Sequence, residues 1–150
     1  MMDIILWILV FIGTFLFMEF MAWFTHKYIM HGFLWSVHKD HHHKEHDSWF
    51  ERNDLFFIFY AIVSITLFLL WRYDGLWIGL PMGLGIFAYG LAYFFVHDIF
   101  IHQRFKLLRN ANNWYAKGVR RAHKMHHKHL GKGDGECFGM LFVPFKYFKK

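Results

Sequence analysis

Apolar residues in this chain fall into three long runs separated by short polar stretches. Residues 4–25 carry one charge, Glu19, and residues 55–71 and 75–96 carry none. A helix needs roughly 17–25 apolar residues to cross a bilayer. Lipid offers no partner for backbone N–H and C=O groups, so a helix must do the crossing. Each run alone also reads as a buried core helix, but three in 150 residues leave too little polar surface to cover them. The pattern predicts an all-α integral membrane protein with one domain. Its spans lie near 4–25, 55–71 and 75–96, and its polar segments are 26–54 and 97–137. Three membrane helices are expected, with a fourth as the alternative, and residues 138–148 lie along the interface or dip into it. Asn53-Asp54 reads as an N-cap pair for the second span, and residues 72–75 as a short turn at its end. The third span is broken by Pro81 and lightened by Gly79, Gly83, Gly85 and Gly90. Small residues let helices pack closely in lipid.

Composition agrees with this pattern. A hydrophobic content of 56% with 23% aromatic residues is heavy for a soluble domain of this length. The first run is not expected to be a signal peptide, because no basic region precedes it and no small-residue cleavage site follows. No plastid or mitochondrial transit segment is seen, which points to a prokaryotic protein or a mature form. Cys137 is the single cysteine. An internal disulfide and a thiolate-rich metal site are therefore excluded, and any metal must be held by nitrogen or oxygen.

Charge and topology locate the polar segments. The net charge is +6, and residues 103–133 hold many Lys and Arg but no Asp or Glu. Nucleic-acid binding is one reading of such a stretch. Beside three spans, the positive-inside rule and attraction to anionic lipid heads explain it better, and docking of an acidic partner protein is a further option. Counting crossings puts segments 26–54 and 97–150 on the same side. All 13 histidines then face one compartment together with both basic segments, which makes it the cytoplasm and leaves the N-terminus outside. A cytoplasmic, histidine-rich helical cap beneath the spans is expected, in a bacterial inner membrane.

The histidines are patterned. HKDHH at 38–42 returns as HKMHH at 123–127, and the full order is His26-x4-His31, His38-x2-His41-His42, His97-x4-His102, His123-x2-His126-His127. His43, His46 and His129 fall outside and read as solvated or supporting residues. On a helix, positions i, i+3 and i+4 share a face, so His38, His41 and His42 can aim one way, as can His123, His126 and His127. The x4 pairs differ, because five residues turn an α-helix by about 500° and leave the rings about 140° apart. Such a pair is poorly placed to chelate one ion alone; it straddles two ions or joins ligands from other helices. Ten imidazoles are too many for one ion and suit two. Imidazole binds Zn, Cu, Fe and Ni. A closed zinc site takes four ligands, and haem-binding His pairs belong inside spans, so a redox-active pair of irons fits the count best. Metal-bound His usually gives its other N–H to a carboxylate or carbonyl. Glu19, Asp40 and Asp98 are candidates for that role, although Glu19 reads equally as the partner of a cation near the interface.

At these residues the sequence closely resembles the bacterial carotenoid branch of the fatty acid hydroxylase/sterol desaturase superfamily. The matching stretches are HKYIMHGFLWSVHKDHH (26–42), FERNDLF (50–56), AYGLAYFFVHDIFIHQRF (88–105), RAHKMHH (121–127) and FGMLFVP (138–144). The four His boxes indicate the superfamily, and the HKYIMHG and VHD-x3-HQRF wording indicates the branch. His43, His46 and the early end at Lys150 depart from the pattern without touching a box. The resemblance implies a non-haem di-iron monooxygenase that adds hydroxyl groups at C3 and C3′ of β-carotene, giving β-cryptoxanthin and then zeaxanthin, and that also accepts ketocarotenoids. It implies two iron ions, O2 as co-substrate, reduced ferredoxin as donor, and the ten box histidines as ligands. The residues agree in one respect: neither GLGIFAYG (83–90) nor GKGDGECFG (131–139) is a strand-to-helix dinucleotide fingerprint, so electrons must come from outside. Trp35, Trp49, Phe94, Phe95 and Phe100 line a substrate path or anchor the interface. The rivals are a lipid or sterol hydroxylase or desaturase of the same superfamily, and a non-enzymatic membrane protein that handles metals through His clusters.

Overall fold

The computed structural model describes residues 4–43 and 48–149, so Lys44 and His46 lie outside the described residues. Among the described residues there are five α-helices: α1 (Ile4–Phe24), α2 (Trp35–His42), α3 (Asp54–Asp74), α4 (Gly79–Phe94) and α5 (Trp114–Lys128). Two π-wound segments, Thr25–Phe33 and Phe95–Ile101, continue α1 and α4 without a break, and a 3₁₀ turn at Phe145–Tyr147 nears the C-terminus. No strand occurs among the described residues.

Three helices are long and apolar enough to cross a membrane: Ile4–Phe33, Asp54–Asp74 and Gly79–Ile101. All three run past the predicted ends: α3 keeps Arg72–Asp74 helical where a turn is expected, and the π turns let the other two continue through their first histidines. His26, His31 and His97 therefore ride on the last turns of the spans rather than beyond them. In the first two helices only 6% of the most apolar 18-residue window is buried within the molecule, against 33% in the third. The third is the middle helix, flanked by α1 and α3, and the outer two present their apolar side chains to lipid. Its small residues make that position possible. A Cβ on Gly85 would lie 2.7 Å from Thr14 Cβ of α1, and one on Gly83 would lie 2.7 Å from the Phe68 ring of α3. The α3–α4 contact is also stitched by Ser64 Oγ, which donates to the Gly83 carbonyl at 2.8 Å.

The polar ends are organised locally. Gly75 closes α3 in the left-handed conformation at φ 69°, which a residue without Cβ adopts freely. Asn53 does not act as the expected N-cap. Its backbone is already helical, no side-chain cap bond forms, and its amide is used elsewhere. Asn113 does cap α5, its side chain accepting the Ala116 N–H at 2.7 Å. One face of α5 is buried through Ala116, Val119, Ala122, His123 and His126, while Lys117, Arg121, Lys124 and Lys128 are exposed. Residues 138–142 fold back to Glu19 and so dip toward the level of the first span; they are not helical.

Candidate metal centre

The five-residue spacing resolves through the backbone. In both π segments the hydrogen bond runs from i to i+5: Leu34 N donates to Ile29 O at 3.0 Å, and His102 N to His97 O at 2.8 Å. The wider turn carries residues five apart nearly over one another. His26 and His31 therefore face the same way, with ring centroids 5.3 Å apart, and so do His97 and His102, at 4.5 Å. The expected 140° divergence holds for an α-helix and not for this winding.

The histidines converge in two groups whose ligand atoms all lie within 4.8 Å of one another: His26, His31, His38, His42 and His126, and separately His41, His97, His102 and His123. His127 joins neither. Its ring stands 4.6 Å from His42 and 4.8 Å from His41, between the two groups. The His-x-x-His-His triplets are thus divided and do not aim at one point. Adjacent helical residues are about 100° apart, so His42 stays with His38 while His41 turns to the other group. All the ring nitrogens come from four segments brought together at one end of the three long helices.

Their outward nitrogens are held by specific acceptors. His26 Nδ1 donates to Phe138 O (3.1 Å), His31 Nδ1 to Lys132 O (3.2 Å) and His126 Nδ1 to Glu136 O (3.1 Å). His38 Nδ1 donates to Asn53 Oδ1 at 2.7 Å, His41 Nδ1 to Glu51 Oε2 at 2.8 Å and His97 Nδ1 to Asp98 Oδ2 at 3.2 Å. Arg104 ties the carboxylates together, with contacts to Asp98 (3.0 Å), Glu51 (3.1 Å) and Asp54 (2.8 Å). Burial raises the Glu51 carboxyl, and Arg104 opposes that shift. Asp98 thus receives a histidine. Asp40 accepts the Arg52 N–H at 2.6 Å. Glu19 binds Tyr89 and the backbone of 140–142.

These outward bonds fix the tautomers and allow a test of whether a cation fits. A carbonyl or carboxylate only accepts, so His26, His41 and His97 carry a proton on Nδ1, and in the neutral ring the Nε2 is a bare lone pair. His38 is set the same way by Asn53. Yet His26 Nε2 lies 3.2 Å from His38 Nε2, and His97 Nε2 lies 3.1 Å from His41 Nε2. Two lone pairs at that distance repel unless a cation binds both. Burial works against protonation here: it pushes His38 down to about 2 and holds His41 well below the ordinary histidine value. His31, His126 and His127 also have buried Nε2 atoms without a hydrogen-bond partner. The donor set is all nitrogen and turned inward, which suits first-row divalent ions.

Sequence reasoning missed Glu51, Asn53 and Arg104 as supports, although all three lie in the stretches FERNDLF and HQRF. The supporting carbonyls of Lys132, Glu136 and Phe138 leave no side-chain signal to find.

The profile of the fatty acid hydroxylase family matches residues 11–148. The chain belongs to the fatty acid hydroxylase family. Among curated relatives, the beta-carotene hydroxylase of Pantoea ananas is 42% identical over 127 residues, 85% of this chain and 71% of that protein. The beta-carotene hydroxylase of Paracoccus sp. (strain N81106 / MBIC 01143) is 37% identical over 141 residues, covering 91% and 83%. The chloroplastic beta-carotene 3-hydroxylase 2 of Arabidopsis thaliana is 40% identical over 136 residues, 89% of this chain and 44% of its own length. No solved structure matches the chain.

In this fatty acid hydroxylase family member a cavity of about 300 Å³ lies directly beneath the histidines, between α1, α3 and α4. Met18, Ala22, Tyr60, Ile86, Tyr89 and Tyr93 form much of its apolar wall, and His26 and His97, one from each group, reach it. The exposed side chains of Trp49, Phe50, Phe57 and Ile58 form its rim. Of the five aromatic residues singled out in sequence, Trp49 and Phe94 line this cavity. Trp35 packs on His31, with ring centroids 5.1 Å apart; Phe95 is exposed, and Phe100 is buried under Arg120.

Proposed function

We propose that this chain is a single-domain membrane monooxygenase that hydroxylates the β-ionone rings of β-carotene at C3 and C3′, giving β-cryptoxanthin and then zeaxanthin. The observation that carries the reading is the apolar cavity touched by one histidine of each group. An apolar, lipid-borne ring fits its lining, and the place where chemistry would occur lies at its inner end. The relatives' names support a carotenoid substrate over a lipid or sterol.

In this reading two non-haem irons are held by His26, His31, His38, His41, His42, His97, His102, His123, His126 and His127. When bound, they supply the O2 activation that an unactivated ring C–H bond requires. The chain's own residues do the rest. Asn53, Glu51, Asp98 and the loop carbonyls hold the Nδ1 protons and keep each Nε2 aimed inward. Met18, Ile86, Tyr89 and Tyr93 grip the ring and exclude water. Lys and Arg of 103–133, in particular the exposed stripe on α5, receive an acidic donor, reduced ferredoxin. The protein sits in the bacterial inner membrane with its N-terminus outside and its histidines cytoplasmic, and it has no nucleic-acid partner.

The test is pigment analysis of bacteria engineered to make β-carotene, with the intact chain and with His126→Ala. Zeaxanthin and β-cryptoxanthin are expected with the intact protein alone. Unchanged β-carotene, in cells where the membrane-bound protein carries two irons and receives electrons, would remove the substrate assignment and leave the metal centre standing.

A further inference from the structure

Glu19 is the one charged residue in the first apolar run, and it is buried at 9% exposure. Tyr89 donates its hydroxyl to Oε2 at 2.7 Å. The backbone N–H groups of Met140, Leu141 and Phe142 donate to Oε1 at 2.9, 3.0 and 3.0 Å. Three successive N–H groups converging on one oxygen form a backbone nest around it. All of Glu19's hydrogen bonds described here come from neutral groups. The one acidic side chain of this span is committed to holding a loop.

Among the described residues, the loop's hydrogen bonds to the centre go to one half of it. Its carbonyls at Lys132, Glu136 and Phe138 accept the Nδ1 protons of His31, His126 and His26, and all three histidines belong to the first group. In the second group, His41 and His97 rest instead on the Glu51 and Asp98 side chains. Phe138 also packs its ring against His26, His31 and His126, at 5.4, 5.2 and 5.4 Å between centroids. One residue, Gly139, separates this contact from the amides that Glu19 grips.

We infer that Glu19 is a positioning residue for one metal site of the two: by gripping residues 140–142 it holds the 132–138 backbone against His26, His31 and His126. It acts through the loop and contacts no ligand itself. The inference rests on the two-metal reading above.

The experiment is anaerobic Co2+ titration of the purified protein and its variants in detergent, reading cobalt bound per chain and the visible absorption bands. Wild type is expected to bind two. Glu19→Ala is expected to bind one tightly, with affinity at the other site reduced about 10–100-fold and the bands of the remaining site unchanged. Glu19→Gln is expected to restore the second ion, because its amide oxygen can still accept the three N–H groups. Gly139→Ala attacks the same contact from the loop side. Its Cβ would stand 2.8 Å from Phe142 O and 3.3 Å from Glu19 Oε1, so it is expected to lose the same site, and it carries the test if Glu19→Ala does not fold. Hydrogen exchange provides a readout without metal: amides 140–142 are expected to lose protection in Glu19→Ala. Retention of both ions in Glu19→Ala and Gly139→Ala, parallel loss of both sites, or unchanged protection of 140–142 overturns the inference while leaving the two-metal reading intact. A wild-type protein that binds fewer than two ions overturns that reading, and the inference with it.

Discussion

His38 has both ring nitrogens committed: Nδ1 to Asn53 at 2.7 Å and Nε2 toward His26 and His42, each at 3.2 Å. Asn53→Ala leaves the Nδ1 proton buried without an acceptor and the ring free to turn. Metal affinity at the first group is expected to fall about 10–100-fold, measured by competition with a chelating dye. Acid should act on the same nitrogens. Burial lowers His38 to about 2, His127 to about 3 and His42 to about 4. Below the ordinary value of 6.5 the unfolded chain therefore takes up protons that the folded chain refuses. In metal-stripped protein this contribution to stability is intact above pH about 6.5. It falls with acidification by up to about 1.4 kcal/mol per pH unit for each such histidine. Thermal unfolding at pH 7.5 and 5.5 checks this: the apo-protein should melt lower at 5.5. The ten box histidines are plain in the sequence because their side chains recur at a repeated, regular spacing. Asn53 is not, since an Asn before an apolar run looks the same whether it caps a helix or holds an imidazole.

The helices set how these residues meet. α4 sits in the middle because Gly83 and Gly85 let its neighbours come close. Gly85→Ala would force a Cβ to 2.9 Å from the Phe11 carbonyl of α1, where backbone cannot yield cheaply. Overpacking of this kind costs about 1–3 kcal/mol, and unfolding in detergent should reveal the loss. The helices themselves are legible in hydropathy, because lipid demands long apolar runs. Their π-wound ends are not, because apolar periodicity says nothing about an extra residue in a turn. His26-x4-His31 and His97-x4-His102 look mismatched on α geometry, and only the i to i+5 backbone bonds explain why five is the working interval. The loop that supports the first group is equally silent, since it contributes carbonyls rather than side chains.

At the scale of the whole molecule, the cavity between α1, α3 and α4 is reached by one histidine of each group, His26 and His97. Ala22 is a small residue on the cavity wall. Ala22→Trp should fill the space and lower hydroxylated product at least tenfold, while iron per chain stays at the wild-type value. Chromatography of pigments beside elemental analysis reads both quantities. Loss of iron together with product would mean that the substitution damaged the centre and not the cavity.

The cavity also sets an order of events. At about 300 Å³ it lies at the small end of ligand sites, with room for one ring end of a long symmetrical polyene while the rest stays in the lipid. In the proposed reading each visit serves one end. After the first hydroxylation the molecule must withdraw, turn round in the bilayer and re-enter by its other ring, in competition with fresh substrate. Turnover is then distributive: the singly hydroxylated carotenoid should accumulate first, and its share should grow with the supply of unreacted substrate.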